Sequence, residues 1–159
     1  PAQRLPPPWL APVLPFPRLL SAYSLRIHRP IVKYLVDANV LSEATKPSPN
    51  LRALAWLERH ESDLVVNPVI LGEIRFGILL LPVGQKRRKL ERWFQEGLAG
   101  LPCLPWDLPT GLRWAELLAQ LRKTGCSMPV KDSLIAATAL VHRLHVASRN
   151  REEIGRAHV

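Results

Sequence analysis

The chain has 159 residues, 47% of them hydrophobic, and a formal net charge of +9, which fits one domain with a core of useful size. No apolar run approaches the roughly 20 residues of a membrane-spanning helix, and the positive charge favours a polyanionic partner. Cys103 and Cys126 have neither metal-ligand spacing nor the numbers for a disulfide framework, so reduced thiols and a cytoplasmic location are expected.

The two ends of the chain differ from its middle. Residues 1–30 hold much of the proline and show no strand or helix period, which predicts a disordered or non-native extension. The only methionine is Met128, so Val32 is a candidate start position. Residues 153–159 resemble the translation of a sequencing adapter, and we expect a non-native tail there and a missing native C-terminus. The folded domain is therefore expected at residues 31–152.

The first predicted strand is the apolar run from Tyr34 to Val36, which ends in polar residues. Ligands of open α/β sheets bind beyond the carboxyl ends of the strands. Asp37, followed by Asn39 and Glu43, is therefore a candidate metal ligand. A role limited to capping the next helix is the alternative for Asp37, and this segment alone leaves both open.

The middle of the chain alternates helix and strand patterns. A helix is predicted from Leu51 to about His60, a strand at 63–66, and a helix that begins at the cap Asn67-Pro68. Glu73 borders the buried stripe of that helix, where a carboxylate needs a partner; a solvent-facing glutamate is the alternative. The stripe consists of apolar residues at helical spacing: Ile70, Ile74, Ile78 and Leu81.

Next comes a run of four cations, Lys86 to Lys89, at the start of a further helix. Such a run forms a solvated helix face or contacts nucleic-acid phosphates, and we favour the solvated face. Two prolines limit a short strand at 101–105, and Asp107 leads into a helix at about 112–121.

Asp132 opens the next predicted helix, in the first turn, where a carboxylate is favoured by the helix dipole. The strand at 145–147 then ends in Ser148-Arg149-Asn150, which repeats the arrangement at Asp37. Alternating strands and helices predict a parallel α/β sheet.

Four segments together resemble a PIN domain of the VapC and FitB-like toxins. They are residues 35–43 (LVDANVLSE), 69–78 (VILGEIRFGI), 130–139 (VKDSLIAATA) and 148–150 (SRN). The resemblance implies a three-layer α/β/α fold with a central parallel sheet of four to five strands, whose final strand is missing here. It also implies a metal-dependent ribonuclease that leaves a 5′-phosphate and a 3′-hydroxyl.

Residue by residue, the resemblance makes Asp37 and Asp132 the principal metal ligands and Glu73 a ligand or a water-orienting base. Asn39 matches the amide that orients the first acid, and Ser148 is a further supporting residue. Asn150 stands where many relatives have a fourth acid, which removes one negative charge.

The residue types agree with that chemistry, because carboxylate and water ligands suit Mg²⁺, with Mn²⁺ as the alternative. Converging carboxylates repel one another unless a cation neutralises them. The implied partners are an RNA substrate, a VapB-like antitoxin, a second copy of the chain in a homodimer, and DNA only through the antitoxin.

Other readings of the sequence remain. A PIN-like scaffold without nuclease activity is the first, and the amide at Asn150 favours it. A receiver or phosphatase-like Mg²⁺ protein is less consistent, because no Gly-rich phosphate loop is present. A DNA reader lacks a helix-turn-helix or zinc spacing. The apolar helix at 69–81 is either core or a partner surface, with core favoured.

Overall fold

The computed structural model describes residues 33–149, and its centre is a parallel sheet of three short strands. These are β1 (Tyr34–Val36), β2 (Leu64–Val65) and β3 (His145–Ala147), in the order β2-β1-β3. Leu35 of β1 lies opposite Val65 on one side and Val146 on the other. The predicted parallel α/β sheet is confirmed. The predicted extension at 1–30, the tail at 153–159 and Asn150 lie outside the described residues.

The sheet has fewer strands in this part of the chain than the four to five expected. The strand predicted at 101–105 is reduced to one parallel bridge between Val66 and Cys103. Val66 donates its N–H to the carbonyl of Pro102 at 3.0 Å and accepts from the N–H of Leu104 at 2.8 Å. Pro102 has no N–H to donate to Leu64 and Pro68 has none to donate to Leu104, so the pairing does not extend into a ladder.

Six α-helices connect and cover the strands within residues 33–149: α1 (Ala38–Leu41), α2 (Leu51–Arg59), α3 (Pro68–Leu79), α4 (Gln85–Glu96), α5 (Leu108–Lys123) and α6 (Val130–His142). None of these helices is both long and apolar enough to cross a membrane. Helix α5 begins at Leu108, four residues before the predicted start. The Asp107 side chain accepts the N–H of Thr110, and a proline is tolerated in the first turn of a helix.

Helices cover both faces of the sheet. The Tyr34 ring contacts Trp56 of α2 and His60, the residue after that helix, with ring centroids 5.0 Å apart in both pairs. Successive residues of a strand point to opposite faces, so Leu35 points away from α2, and it is completely buried. The three-layer α/β/α arrangement follows.

Two helices that carry predicted site residues, α3 and α6, are joined by a buried polar contact. Asn67 caps α3 by accepting the N–H of Ile70 at 2.9 Å, and it donates its side-chain amide to the Thr138 hydroxyl of α6 at 2.9 Å. Asn67 and Thr138 are both fully buried. The predicted cap at Asn67 is therefore confirmed, and it also sets α3 against α6.

The apolar residues of α3 lie on two faces. Ile70, Ile74 and Ile78 are buried, as the stripe predicts, whereas Phe76 is 62% and Leu80, just after the helix, is 68% exposed. Helix α3 therefore contributes to the core and also presents an apolar surface.

Candidate metal centre

Polar residues follow all three strands at one edge of the sheet. Asp37 comes directly after β1 and Ser148 directly after β3. Asn67 comes two residues after the last residue of β2. The Asp37 N–H donates to the carbonyl of Ala147 at 3.0 Å, which continues the pairing of β1 with β3 to the last residue. The carboxyl edge of this sheet thus brings together residues that are 111 positions apart.

Asp37 is 7% exposed, and its carboxylate accepts hydrogen bonds on both oxygens. One oxygen accepts the Ala38 N–H at 2.7 Å, which caps α1. The other accepts the Asn39 amide at 2.7 Å and the Ser148 hydroxyl at 2.8 Å. Asn39 also donates to the Ser148 oxygen at 3.1 Å. The structure thus places the predicted supporting residues Asn39 and Ser148 on Asp37, and the carboxylate is a helix cap as well as a candidate ligand.

Burial raises the pKa of Asp37 above its usual value. The negative charge of Glu73 raises the pKa further, while the bonds from Ser148 and Ala38 and the charge of Lys131 act to lower it. A cation bound next to a buried carboxylate stabilises its ionised form, because the positive charge offsets the cost of ionisation away from water.

Glu73 lies on α3 and is half-buried, and it forms an ion pair with Lys131 of α6. This bond raises the pKa of Lys131, and the charges of Glu73, Asp132 and Asp37 add to the rise. Asp132 itself is half-buried in the first turn of α6, as predicted. The three predicted acids therefore act together on one ammonium group.

Lys131 is a site residue that the sequence analysis did not single out. A lysine in the first turn of a helix is opposed by the helix dipole. Its presence in the first turn of α6 was a signal that carboxylates lie nearby.

The donor set suits a hard divalent cation. Glu73 pairs with the Lys131 ammonium, and the charges of Asp37 and Asp132 act on the same group, so carboxylates placed just after β1, on α3 and on α6 favour a cation between them. In the arrangement seen across residues 33–149, no three His, Cys, Asp or Glu side chains already enclose an ion position. A metal ion bound by Glu73 would compete with Lys131 for this carboxylate.

Glu43, the second acid of the segment that follows β1, has other partners than Asp37. It is fully buried, and its two oxygens are occupied by Lys46, Arg149 and the N–H of Asn50. Glu43 is therefore not available to the same cation as Asp37.

Comparison with known proteins decides the family. The model of the PIN domain family matches residues 34–157. The chain belongs to the PIN domain family. The VapC ribonuclease Y4jK of Sinorhizobium fredii is 35% identical to it over 121 residues, which cover 73% of this chain and 86% of that protein. The toxin FitB of Neisseria gonorrhoeae is 33% identical over 120 residues, with the same coverage.

Solved structures agree with the sequence relatives. The chain is similar to one in the structure of FitAB bound to an IR36 DNA fragment, with a TM-score of 0.74 and 32% sequence identity. The superposition covers 79% of this chain and 91% of the chain in that structure. The resemblance to VapC and FitB-like PIN domains, predicted from four short segments, is confirmed.

Proposed function

We propose that this PIN domain is a Mg²⁺-dependent endoribonuclease of the VapC/FitB toxin type. One observation carries the proposal: Glu73 of α3 pairs with Lys131 of α6, and the charges of Asp37 and Asp132 act on the same ammonium group. The similarity to a protein named VapC ribonuclease supports the reaction class, and the similarity to toxin FitB supports the toxin assignment.

Each acid has a proposed role. Asp37 and Asp132 are the principal ligands, and Glu73 is a ligand or orients the attacking water. Asn39 and Ser148 hold the Asp37 carboxylate in place through the hydrogen bonds described above. Asn150 is proposed as a further supporting residue next to Arg149. The cofactor is Mg²⁺ or Mn²⁺; when bound, it supplies an acidified water and neutralises charge on the phosphate.

The charge of the chain suits an RNA substrate. Its formal net charge is +9, and α4 exposes Lys86, Arg88 and Arg92. Arg87, in contrast, is engaged by Glu91 at 3.1 Å. Cations on a helix surface bind a phosphate backbone without reading its sequence.

The proposed partners are a VapB-like antitoxin, a second copy of the chain, and DNA through the antitoxin. The solved FitAB complex with DNA supports the first and the last. Phe76 and Leu80 give α3 an exposed apolar surface for one of these contacts. An apolar surface of this kind marks an interaction site when it is contiguous.

The test is cleavage of a mixed RNA pool by the purified protein in Mg²⁺ or Mn²⁺, with EDTA as the metal-free arm. Asp132→Asn is the site variant. Asp107→Asn is its matched control, because it makes the same change of an acid to its amide at a residue that caps α5, and asparagine caps equally well. We expect metal-dependent cleavage by the wild type and Asp107→Asn, with a loss of at least about a hundredfold in Asp132→Asn.

The alternative is a PIN scaffold that binds an antitoxin or RNA without cutting. The ion pair between Lys131 and Glu73 favours it, since it already neutralises one of the acids. A folded wild type that leaves RNA intact in saturating metal contradicts the nuclease proposal and supports the scaffold.

A further inference from the structure

Glu43 is a buried carboxylate that the proposed chemistry does not use. It lies in the 3-10 turn Ser42–Thr45 and has no exposed surface. One oxygen binds the Lys46 ammonium at 2.5 Å and the Arg149 guanidinium, and the other accepts the Asn50 N–H at 2.9 Å.

The charge of Glu43 is kept by these partners. Burial alone would raise the pKa of this group, but the bonds from Lys46 and Asn50 and the charges of Lys46 and Arg149 outweigh it, and the pKa is lowered. A buried carboxylate without cations would be costly to ionise. Lys46 is three residues away along the chain, whereas Arg149 is 106 residues away, so Arg149 makes the long-range contact.

Arg149 connects Glu43 to the candidate metal centre. Its backbone N–H donates to the side-chain oxygen of Asn39 at 3.1 Å. That bond fixes the orientation of the Asn39 side-chain amide. The NH₂ group of Asn39 then donates to Asp37 and to Ser148. A continuous set of contacts thus runs from Glu43 through Arg149 and Asn39 to the Asp37 carboxylate.

We propose that Glu43 is a positioning residue for the metal centre. By holding the Arg149 side chain, it fixes the backbone after β3, and this keeps Ser148 and Asn39 on Asp37. The inference rests on the proposed function, since the purpose of the arrangement is to aim Asp37 at a cation. Groups that orient a metal ligand typically change metal affinity 10- to 100-fold when they are removed.

The test compares variants of the full-length chain by Mn²⁺ binding, followed by electron paramagnetic resonance, and by the NMR signals of the Asn39 side-chain amide. Glu43→Gln and Arg149→Met break the long-range contact, and Arg149→Lys is the conservative rescue. Lys46→Met is the matched control, because it removes a cation from the same carboxylate but does not touch Arg149 or Asn39.

We expect Mn²⁺ affinity to fall about tenfold in Glu43→Gln and about tenfold in Arg149→Met. The double variant Glu43→Gln/Arg149→Met should bind Mn²⁺ no more weakly than either single variant, and the affinity of Lys46→Met should fall less than threefold. The Asn39 amide signals should shift in the first two variants and partly return in Arg149→Lys. A purely structural role predicts that Lys46→Met and Arg149→Met lose stability and affinity in parallel, and this result would overturn the inference.

The outcomes separate the inference from the proposed function. If the wild type binds no Mn²⁺, the proposed function fails, and unchanged Asn39 signals in Arg149→Met would overturn the inference as well. If the wild type binds Mn²⁺ and Arg149→Met binds it equally well, the inference fails while the proposed function stands. Arg149→Met also covers the case in which Glu43→Gln does not fold, because the Arg149 side chain is 49% exposed.

Discussion

The contact between Asn67 and Thr138 gives the sharpest prediction about stability. It joins α3, which carries Glu73, to α6, which carries Asp132, and both partners are fully buried. The Thr138 hydroxyl accepts the Asn67 amide and donates to the carbonyl of Leu134 at 3.1 Å. Replacing Thr138 by valine keeps the shape of the side chain but removes the acceptor.

The magnitude of Thr138→Val follows from the amide that it leaves behind. Asn67 would keep its cap on Ile70 but would have a buried NH₂ group without this partner. A stranded buried donor costs about 1–3 kcal/mol, so we expect the free energy of unfolding to fall by about 2 kcal/mol. Asn67→Ala should cost about 1 kcal/mol through the lost helix cap, in addition to the lost cross-helix bond.

Urea-induced unfolding in EDTA, followed by circular dichroism, measures these changes. Thr124→Val is the control, because it also removes a hydroxyl that donates to helix carbonyls, those of Gln120 and Leu121, but at an exposed position where water can replace it, so the change should stay within about 0.5 kcal/mol. The double variant Asn67→Ala/Thr138→Val should cost less than the sum of the two single variants. Equal stability of Thr138→Val and Thr124→Val would refute the reasoning that this bond sets α3 against α6.

Three further results are expected. Arg143 ends α6 in the left-handed region at φ 54°, so Arg143→Gly should raise the free energy of unfolding by about 0.5–1 kcal/mol in thermal melts; a lower value would contradict the strain. Because the pKa of Asp37 is raised, the folded state keeps its proton to a higher pH than the unfolded chain, and the contribution of Asp37 to the free energy of unfolding should fall as the pH rises above about 4. Urea titrations across this range should lose that slope in Asp37→Asn, and an identical slope in both proteins speaks against the raised pKa. Mg²⁺ at about one hundred times its Kd should stabilise the wild type by about 2.7 kcal/mol and leave the melting temperature of Asp132→Asn unchanged; equal shifts in both would place the ion elsewhere.

The sequence predicted the parts of the fold that depend on local patterns. The apolar runs before Asp37 and Ser148 are strands, and the cap at Asn67 begins α3, because hydrophobic period and capping chemistry act within a few residues. The strand at 101–105 failed to extend because prolines remove donors, a limit that the sequence also indicated for Pro102. The start of α5 was misplaced because Asp107 caps a helix that begins at Leu108, four residues before the predicted start.

The contacts within the site were less predictable. The three candidate acids could be proposed from the sequence, but the ion pair of Glu73 with Lys131 depends on how α3 and α6 pack. Glu43 lies only six residues after Asp37 in the sequence, yet its partner Arg149 comes from the other end of the domain. Pairings over such distances are set by the tertiary structure, and the chain pattern around one residue does not contain them.

The most direct test of the central claim is an equilibrium Mn²⁺ titration by electron paramagnetic resonance. It compares the wild type with Asp37→Asn, Asp132→Asn and the control Asp107→Asn. We expect one specific Mn²⁺ site in the wild type and in Asp107→Asn. The affinity of that site should fall at least about tenfold in Asp37→Asn and in Asp132→Asn. Equal Mn²⁺ binding by all four proteins would contradict the claim that Asp37, Glu73 and Asp132 converge on one cation.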